Sequence, residues 1–269
     1  MRRIFSFLGS ILAQFAYVVG VRKAVTLDNL ALAFPELSSA KIHTIARRSF
    51  ANLGKVFLEM VYLRFAPKRS VSGGIQLINP EDVLAAEGLG RGVILLSGHL
   101  ANWEWMGLGM GLGLERDLGI IVKNQKGNFS ERFLNTMRAR FGNRIINAGD
   151  VRAVFQALQN NELVALLGDQ AAPDNSIRVP FFGREVPTFE GAARFALRTR
   201  AALFVVECRR IPSGNYEIMF HPLDYSDLTG ATEPEVKVLT ARHTAQLERI
   251  IRARPDQWLW QHKRWKHVV

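Results

Sequence analysis

A run of apolar residues, Val93-Ile94-Leu95-Leu96, passes through Ser97 and Gly98 into His99 and then into a segment with helical character. Runs that are apolar throughout and rich in β-branched residues suit strands buried on both faces of a parallel or mixed sheet. The same character recurs at 119–122, 163–167 and 202–208. Helical patterns at 103–112, 130–141, 151–159 and 191–200 separate these runs, and Asp150 is placed to cap the helix that starts at Val151. Strands alternating with helices predict an α/β fold: a mixed, largely parallel central sheet flanked by helices. Upstream, the pattern predicts a short helix over 26–34 that Pro35 ends. A longer helix follows from Ala40 to about Arg64, capped by Ser38 or Ser39, then a strand at 75–78 and a short helix at 80–87. There is no internal repeat, low-complexity tract or linker. The economical division is an N-terminal segment, 1–23, and one domain, 24–269.

The N-terminal segment has its own logic. Arg2 and Arg3 precede residues 4–21, which carry no charge, and Arg22 and Lys23 follow. As a helix, these residues would rise about 27 Å, enough to cross or enter a hydrocarbon core. The leading reading is a membrane anchor or an in-plane interfacial helix, with the basic body on the cytoplasmic side. A buried amphipathic helix is a second reading. A cleaved signal is a third, although no small-x-small site is evident and Ser6, Ser10, Gln14 and Tyr17 dilute the apolar run.

Charge and cysteine content narrow the partners. The chain has 35 Lys+Arg against 24 Asp+Glu, a net charge of +11, which favours an anionic partner: nucleic acid, an acidic membrane, a phosphorylated lipid or an acidic protein. No nucleic-acid recognition motif accompanies that charge. Cys208 is the single cysteine, so an internal disulfide and a Cys-rich metal site are both excluded. It lies in an apolar run, as a buried structural thiol would.

In open α/β sheets, ligands gather at the carboxyl ends of strands. One strand here runs into Gly98-His99, another into Gly168-Asp169-Gln170. His99 and Glu104 would stand about 140° apart on a regular helix. They can meet only if His99 precedes the helix and folds back, which Gly98 permits. A carboxylate on one imidazole nitrogen would fix the tautomer and leave the other nitrogen to accept a proton. Backbone N–H groups at the helix start could then stabilise an oxyanion. The same two residues also read as a structural hydrogen bond or as unconnected surface groups. A metal site fits poorly, because zinc-binding helices place ligands three or four apart and no His or Cys is near.

The segment Gly98-His99-Leu100-Ala101-Asn102-Trp103-Glu104 resembles the H-x-x-x-x-[D/E] motif of the bacterial late acyltransferases of lipid A biosynthesis. Further segments are similar to that family in the same order. They are Asp28-Asn29-Leu30-Ala31-Leu32-Ala33-Phe34-Pro35-Glu36, Leu167-Gly168-Asp169-Gln170, Val179-Pro180-Phe181-Phe182-Gly183, and Pro255-Asp256-Gln257-Trp258-Leu259-Trp260 with Lys263-Arg264-Trp265-Lys266. The resemblance implies a glycerol-phosphate-acyltransferase-like fold at the cytoplasmic face of the inner membrane. It implies no cofactor, and a fatty acyl co-substrate on acyl carrier protein or coenzyme A. The partners it implies are acyl carrier protein, a glycolipid acceptor and inner-membrane lipids. His99 would be the general base for an acceptor hydroxyl of a lipid A precursor and Glu104 its orienting carboxylate, with no covalent acyl-enzyme.

Other positions are candidates for substrate binding. Asn102 and Trp103 adjoin the pair, and Asp169 and Gln170 either line the site or cap a loop. Lys123 and Arg140 suit a phosphate or a solvated helix face. Arg178 and Arg184 flank the Phe-Phe-Gly turn, and Glu190 starts the next helix. The tryptophans at 258, 260 and 265 read either as an interface anchor or as a core-packing helix. His43, His221, His243, His262 and His267 have no neighbouring carboxylate placed as Glu104 is, and are read as structural or surface residues. A phosphatidylinositol mannoside or an aminolipid is the alternative acceptor, and a catalytically silent membrane-binding protein is the reading from another class.

Overall fold

A computed structural model describes residues 1–123 and 129–268. The chain begins with four helices, α1 (Arg2–Val18), α2 (Lys23–Ala33), α3 (Ser39–Phe65) and α4 (Lys68–Ser72). Ser38 caps α3, its hydroxyl accepting from the Lys41 N–H. Glycines bring α1 onto α3 backbone to backbone: a Cβ on Gly9 would stand 2.2 Å from the Gly54 carbonyl oxygen. α1 therefore buries one side and exposes Ile4, Phe7, Ile11, Phe15 and Val18 on the other. The expected continuous helix over 4–21 does not form. Gly20 and Arg22 take left-handed conformations, φ 88° and 56°, and turn the chain. No single helix among the described residues is long and apolar enough to cross a membrane; α1 and α2 reach that length only as a pair bent by 90°.

The sheet follows. Its first half comprises β1 (Ile75–Ile78), α5 (Pro80–Glu87), β2 (Val93–Ser97), α6 (Trp103–Leu114), β3 (Leu118–Val122), α7 (Phe129–Arg138), β4 (Arg144–Asn147), α8 (Val151–Gln159) and β5 (Leu163–Leu167). A hairpin of β6 (Arg178–Phe181) and β7 (Arg184–Pro187) stands apart, before α9 (Gly191–Thr199), β8 (Ala202–Arg210), β9 (Tyr216–Pro222) and α10 (Glu233–Ala253). Within the described residues the main sheet has seven strands in the order β1-β9-β8-β2-β5-β3-β4. Every neighbouring pair is parallel except β8 with β9.

Alternation along β2 shows why the central strands read as apolar throughout. Val93 and Leu95 face one core with Trp105, Met106 and Leu108 of α6, whereas Ile94 and Leu96 face the other with α8 and α9. Both sides are covered, so neither set needs polar residues. Helix α7 stops at Arg138, short of its expected end at 141, and a 3₁₀ turn with Phe141 at φ 63° follows.

The C-terminal segment does not form an interface anchor. Trp258, Trp260 and Trp265 are buried and pack on Phe181 and Phe182 of the β6–β7 turn. This aromatic wedge presses the segment against the carboxyl edge of β2, where Leu100 and Trp258 form an antiparallel bridge.

Candidate active site

Strands β2 and β5 are parallel neighbours with Ser97 paired to Leu167, so His99 and Asp169 each lie two residues beyond the same level of the sheet. The two side chains meet there. His99 Nδ1 lies 2.7 Å from Asp169 Oδ1, and the His99 backbone N–H donates to Oδ2 at 2.7 Å. The Trp258 indole N–H donates to the same Oδ2 at 2.8 Å. Burial by itself would push the Asp169 carboxyl up, but the His99 ring and these three hydrogen bonds hold it down at about 2. An ionised Asp169 makes Nδ1 the protonated nitrogen, leaving Nε2 to accept a proton. His99 is 17% exposed at its side chain and Asp169 2%, so the carboxylate is shielded while the ring reaches the surface.

Glu104 is not the partner of His99. The loop turns through a left-handed residue, Ala101 at φ 45°, which separates His99 from the helix. Glu104 then lies on the first turn of α6, where both its oxygens are taken by Arg138 of α7, Arg138 Nε donating at 2.8 Å. This ion pair ties α6 to α7 beside the site.

The strained loop is clamped from two sides. Ala101 N–H donates to the Gln257 carbonyl at 2.7 Å, and Asn52 of α3 donates to the Ala101 carbonyl at 3.1 Å. Asn102 caps α6, its Oδ1 accepting from the Trp105 N–H at 3.0 Å, while its amide donates to Glu59 at 2.8 Å. Glu59 is fully buried on α3 and also accepts from Ser6 of α1, Arg210 of β8 and Tyr216 of β9. Burial opposes its ionisation, but Arg210 and these donors hold its carboxyl below the usual range. One carboxylate thus joins α1, α3, the sheet and the His99 loop.

Around the dyad, the Trp103 ring stands edge-on to His99 at 4.8 Å between centroids, and the Gln170 amide lies 3.4 Å from His99 Nε2. His262 approaches from the C-terminal segment, where its Nε2 accepts from the Ala171 N–H at 2.9 Å. Lys123 is exposed at the carboxyl end of β3. Three of the remaining candidates lie in other bonds. Arg140 donates to the Leu63 and Ala66 carbonyls at the end of α3, and Arg178 pairs with Asp174. Arg184 is exposed on β7, and Glu190 precedes α9 and pairs with Arg194. His221 pairs with Glu207 across the β8–β9 pair at 3.1 Å, a cross-strand neighbour that local sequence spacing does not reveal. Cys208 is buried, and burial pushes its thiol up to about 12. No three of His, Cys, Asp and Glu gather as a metal site among the described residues.

The arrangement supplies a base with an ionised orienting carboxylate and no activated side-chain nucleophile among the described residues. Sequence reasoning missed that Asp169, and not Glu104, is the carboxylate bonded to His99. The signal lay in the two Gly-containing strand ends, Gly98-His99 and Gly168-Asp169, but only the strand order makes them neighbours.

Comparison with known families and proteins agrees over nearly the whole chain. The profile of a family described as bacterial lipid A biosynthesis acyltransferase matches residues 1–267. A lipid A biosynthesis lauroyltransferase of Escherichia coli (strain K12) is 26% identical over 255 residues, 91% of this chain and 79% of that protein. The palmitoleoyltransferase of the same strain is 24% identical over 248 residues, with the same coverage. A phosphatidylinositol mannoside acyltransferase of Mycolicibacterium smegmatis is 24% identical over 196 residues, 70% of this chain and 64% of that protein.

Proposed function

From the premise that this chain belongs to the bacterial lipid A biosynthesis acyltransferase family, we propose that it moves a fatty acyl group from a thioester to a hydroxyl of a lipid A precursor, with His99 as base and Asp169 as its orienting carboxylate. The observation that carries the reading is the His99–Asp169 pair at the carboxyl ends of adjacent parallel strands. His99 Nε2 takes the proton of the acceptor hydroxyl as its oxygen attacks the thioester carbonyl carbon. The tetrahedral oxyanion collapses and the C–S bond breaks. The departing thiolate takes the proton back from the imidazolium, which Asp169 has stabilised in the interval. No acyl-enzyme forms. The donor is acyl carrier protein, whose acidity complements a chain of net charge +11, with coenzyme A as the alternative carrier. Trp103 and Gln170 border the base and would orient the reacting groups, while Lys123 at the same edge of the sheet would meet an acceptor phosphate.

The acceptor assignment is favoured over a phosphatidylinositol mannoside by the lauroyl and palmitoleoyl relatives, which align with 91% of the chain against 70% for the mannoside enzyme. The site works at a membrane surface. The outer face of α1 and the stripe Phe57, Val61 and Phe65 of α3 are exposed and apolar, as an in-plane interfacial element requires. Purified protein given acyl-loaded carrier protein and a lipid A precursor should yield a product heavier by one acyl group in mass spectrometry. No product with any chain length or with either acceptor class would overturn the reading.

A further inference from the structure

Beside Asp169, which is itself part of the lining, lies a small pocket. It is lined by the carboxylate's own backbone neighbour Gly168, by Thr188, by His243 and Thr244 of α10, and by Arg264 of the C-terminal segment. Two of these side chains are unusual for a protein interior. Arg264 is 2% exposed, and no carboxylate pairs with it among the described residues. Its Nη1 donates to the Pro187 carbonyl and its Nη2 to Thr188 Oγ1, each at 2.8 Å, while its guanidinium lies 5.1 Å from the centre of the Phe181 ring. Its Nε has no partner. His243 is likewise 2% exposed, and its Nε2 has no partner either. A buried polar atom without a partner is costly, so two on side chains that line one pocket point to a ligand held there. The pocket, about 10 Å³, has room for at most a single water beside these two side chains.

We propose that Arg264, with His243 and one water in the pocket, is the positioning element of the dyad: a fixed positive charge beside Asp169 that sets how strongly the carboxylate binds the proton on His99. The other titratable groups around the pair do not supply that charge. His243 is held neutral, burial pushing its imidazole down to about 4. His262 is also pulled down by burial and accepts a backbone hydrogen bond through Nε2. Lys266 is exposed, where solvent screens it. Glu248 of α10 is taken up by the Phe182 N–H and by Arg252. Burial pulls Arg264 down to about 10, which leaves it charged at neutral pH. Arg264 and Asp169 line the same pocket, and the carboxylate favours the charged guanidinium across it, in a desolvated interior where charges act strongly on one another. Without the guanidinium, the negative charge of Asp169 would be less compensated and would hold the imidazolium of His99 more tightly.

The proposal rests on the reading of His99 as the base, but its test reads His99 directly and does not need turnover. Selectively labelled full-length protein in detergent would be titrated by NMR, with the His99 imidazole signal assigned by its loss in His99→Ala. In Arg264→Met and Arg264→Gln, the His99 midpoint should rise by about half a pH unit or more. In Arg264→Lys, which keeps the charge, it should stay within about 0.2 units. Two neutral variants are used so that one remains informative if the other fails to fold. An unchanged midpoint in the neutral variants, or an equal rise in Arg264→Lys, would overturn the proposal. A crystal structure of the full chain should show a water within hydrogen-bonding distance of His243 Nε2 and Arg264 Nε, and a dry cavity would remove the water from the account.

Discussion

His99 engages both carboxylate oxygens of Asp169, through its ring Nδ1 at 2.7 Å from Oδ1 and its backbone N–H at 2.7 Å from Oδ2. Backbone and side chain of one residue thus fix the carboxylate in position and in plane, so the imidazole tautomer follows from the path of the chain after β2. Gly98 makes the approach possible. A Cβ there would stand 3.1 Å from the Asp169 carboxylate, tighter than most real contacts. Gly98→Ala should therefore displace Asp169 by a few tenths of an ångström and lower kcat by about tenfold to a hundredfold, with KM little changed. Steady-state kinetics at saturating donor checks this, and wild-type kcat would mean that the loop accommodates the methyl group.

Glu104 is bound by Arg138 and not by His99, which places it for stability rather than for proton transfer. Its carboxylate is buried and paired with Arg138, so Glu104→Gln leaves a charged guanidinium without its partner and should cost about 3 kcal/mol of unfolding free energy. The double variant Glu104→Leu, Arg138→Leu should recover most of that loss, because neither charge is then stranded. Chemical denaturation of the three proteins checks the ordering.

The contact of α1 with α3 depends on two glycines. A Cβ on Gly54 would stand 2.0 Å from the Gly9 carbonyl oxygen and 2.6 Å from Ala13 Cβ, so Gly54→Val must push the helices apart. The same displacement pulls Ser6 from Glu59. Loss of at least half of the protein from pelleted anionic vesicles is expected, together with a lower Tm. Unchanged pelleting would locate the membrane contact elsewhere on the body.

His243 makes stability depend on pH. Its folded-state imidazole lies at about 4, below its ordinary 6.5. A group depressed by folding stabilises fully above its unfolded value, and that contribution is lost as pH falls through the folded one. From about pH 6.5 down to 4 the unfolded chain gains a proton that the folded chain refuses, a loss of about 3 kcal/mol. In His243→Phe this component should vanish, so the difference in unfolding free energy between variant and wild type should slope between pH 6.5 and 4 and be flat above pH 7.

Strand and helix identities in the centre of the chain were legible because β2, β5 and the first half of β8 are covered on both faces and need no polar residues. The stretch past Cys208 carried a weaker signal. β9 alternates buried Tyr216, Ile218 and Phe220 with half-exposed neighbours, as suits a strand with one face buried and the other only partly covered. The site was half legible. Both strand ends bearing His99 and Asp169 stood out, but their pairing rests on β2 and β5 being neighbours, a non-local fact that no local spacing encodes. Glu59 was invisible for a related reason: an acidic residue inside an amphipathic helix looks solvated until Arg210, Tyr216 and Asn102 arrive from distant segments. The tryptophans at 258, 260 and 265 carried equal signals for membrane and core, and the aromatic β6–β7 turn decides for the core.

The central claim is that Asp169, and not Glu104, orients and charge-stabilises His99 during acyl transfer. The direct measurement is kcat for Asp169→Asn, at the pH optimum, with acyl carrier protein as donor and folding verified by circular dichroism. The amide would favour the wrong imidazole tautomer and cannot stabilise the imidazolium. The account predicts a loss of about a thousandfold or more with KM largely kept, and turnover within about tenfold of wild type would contradict it.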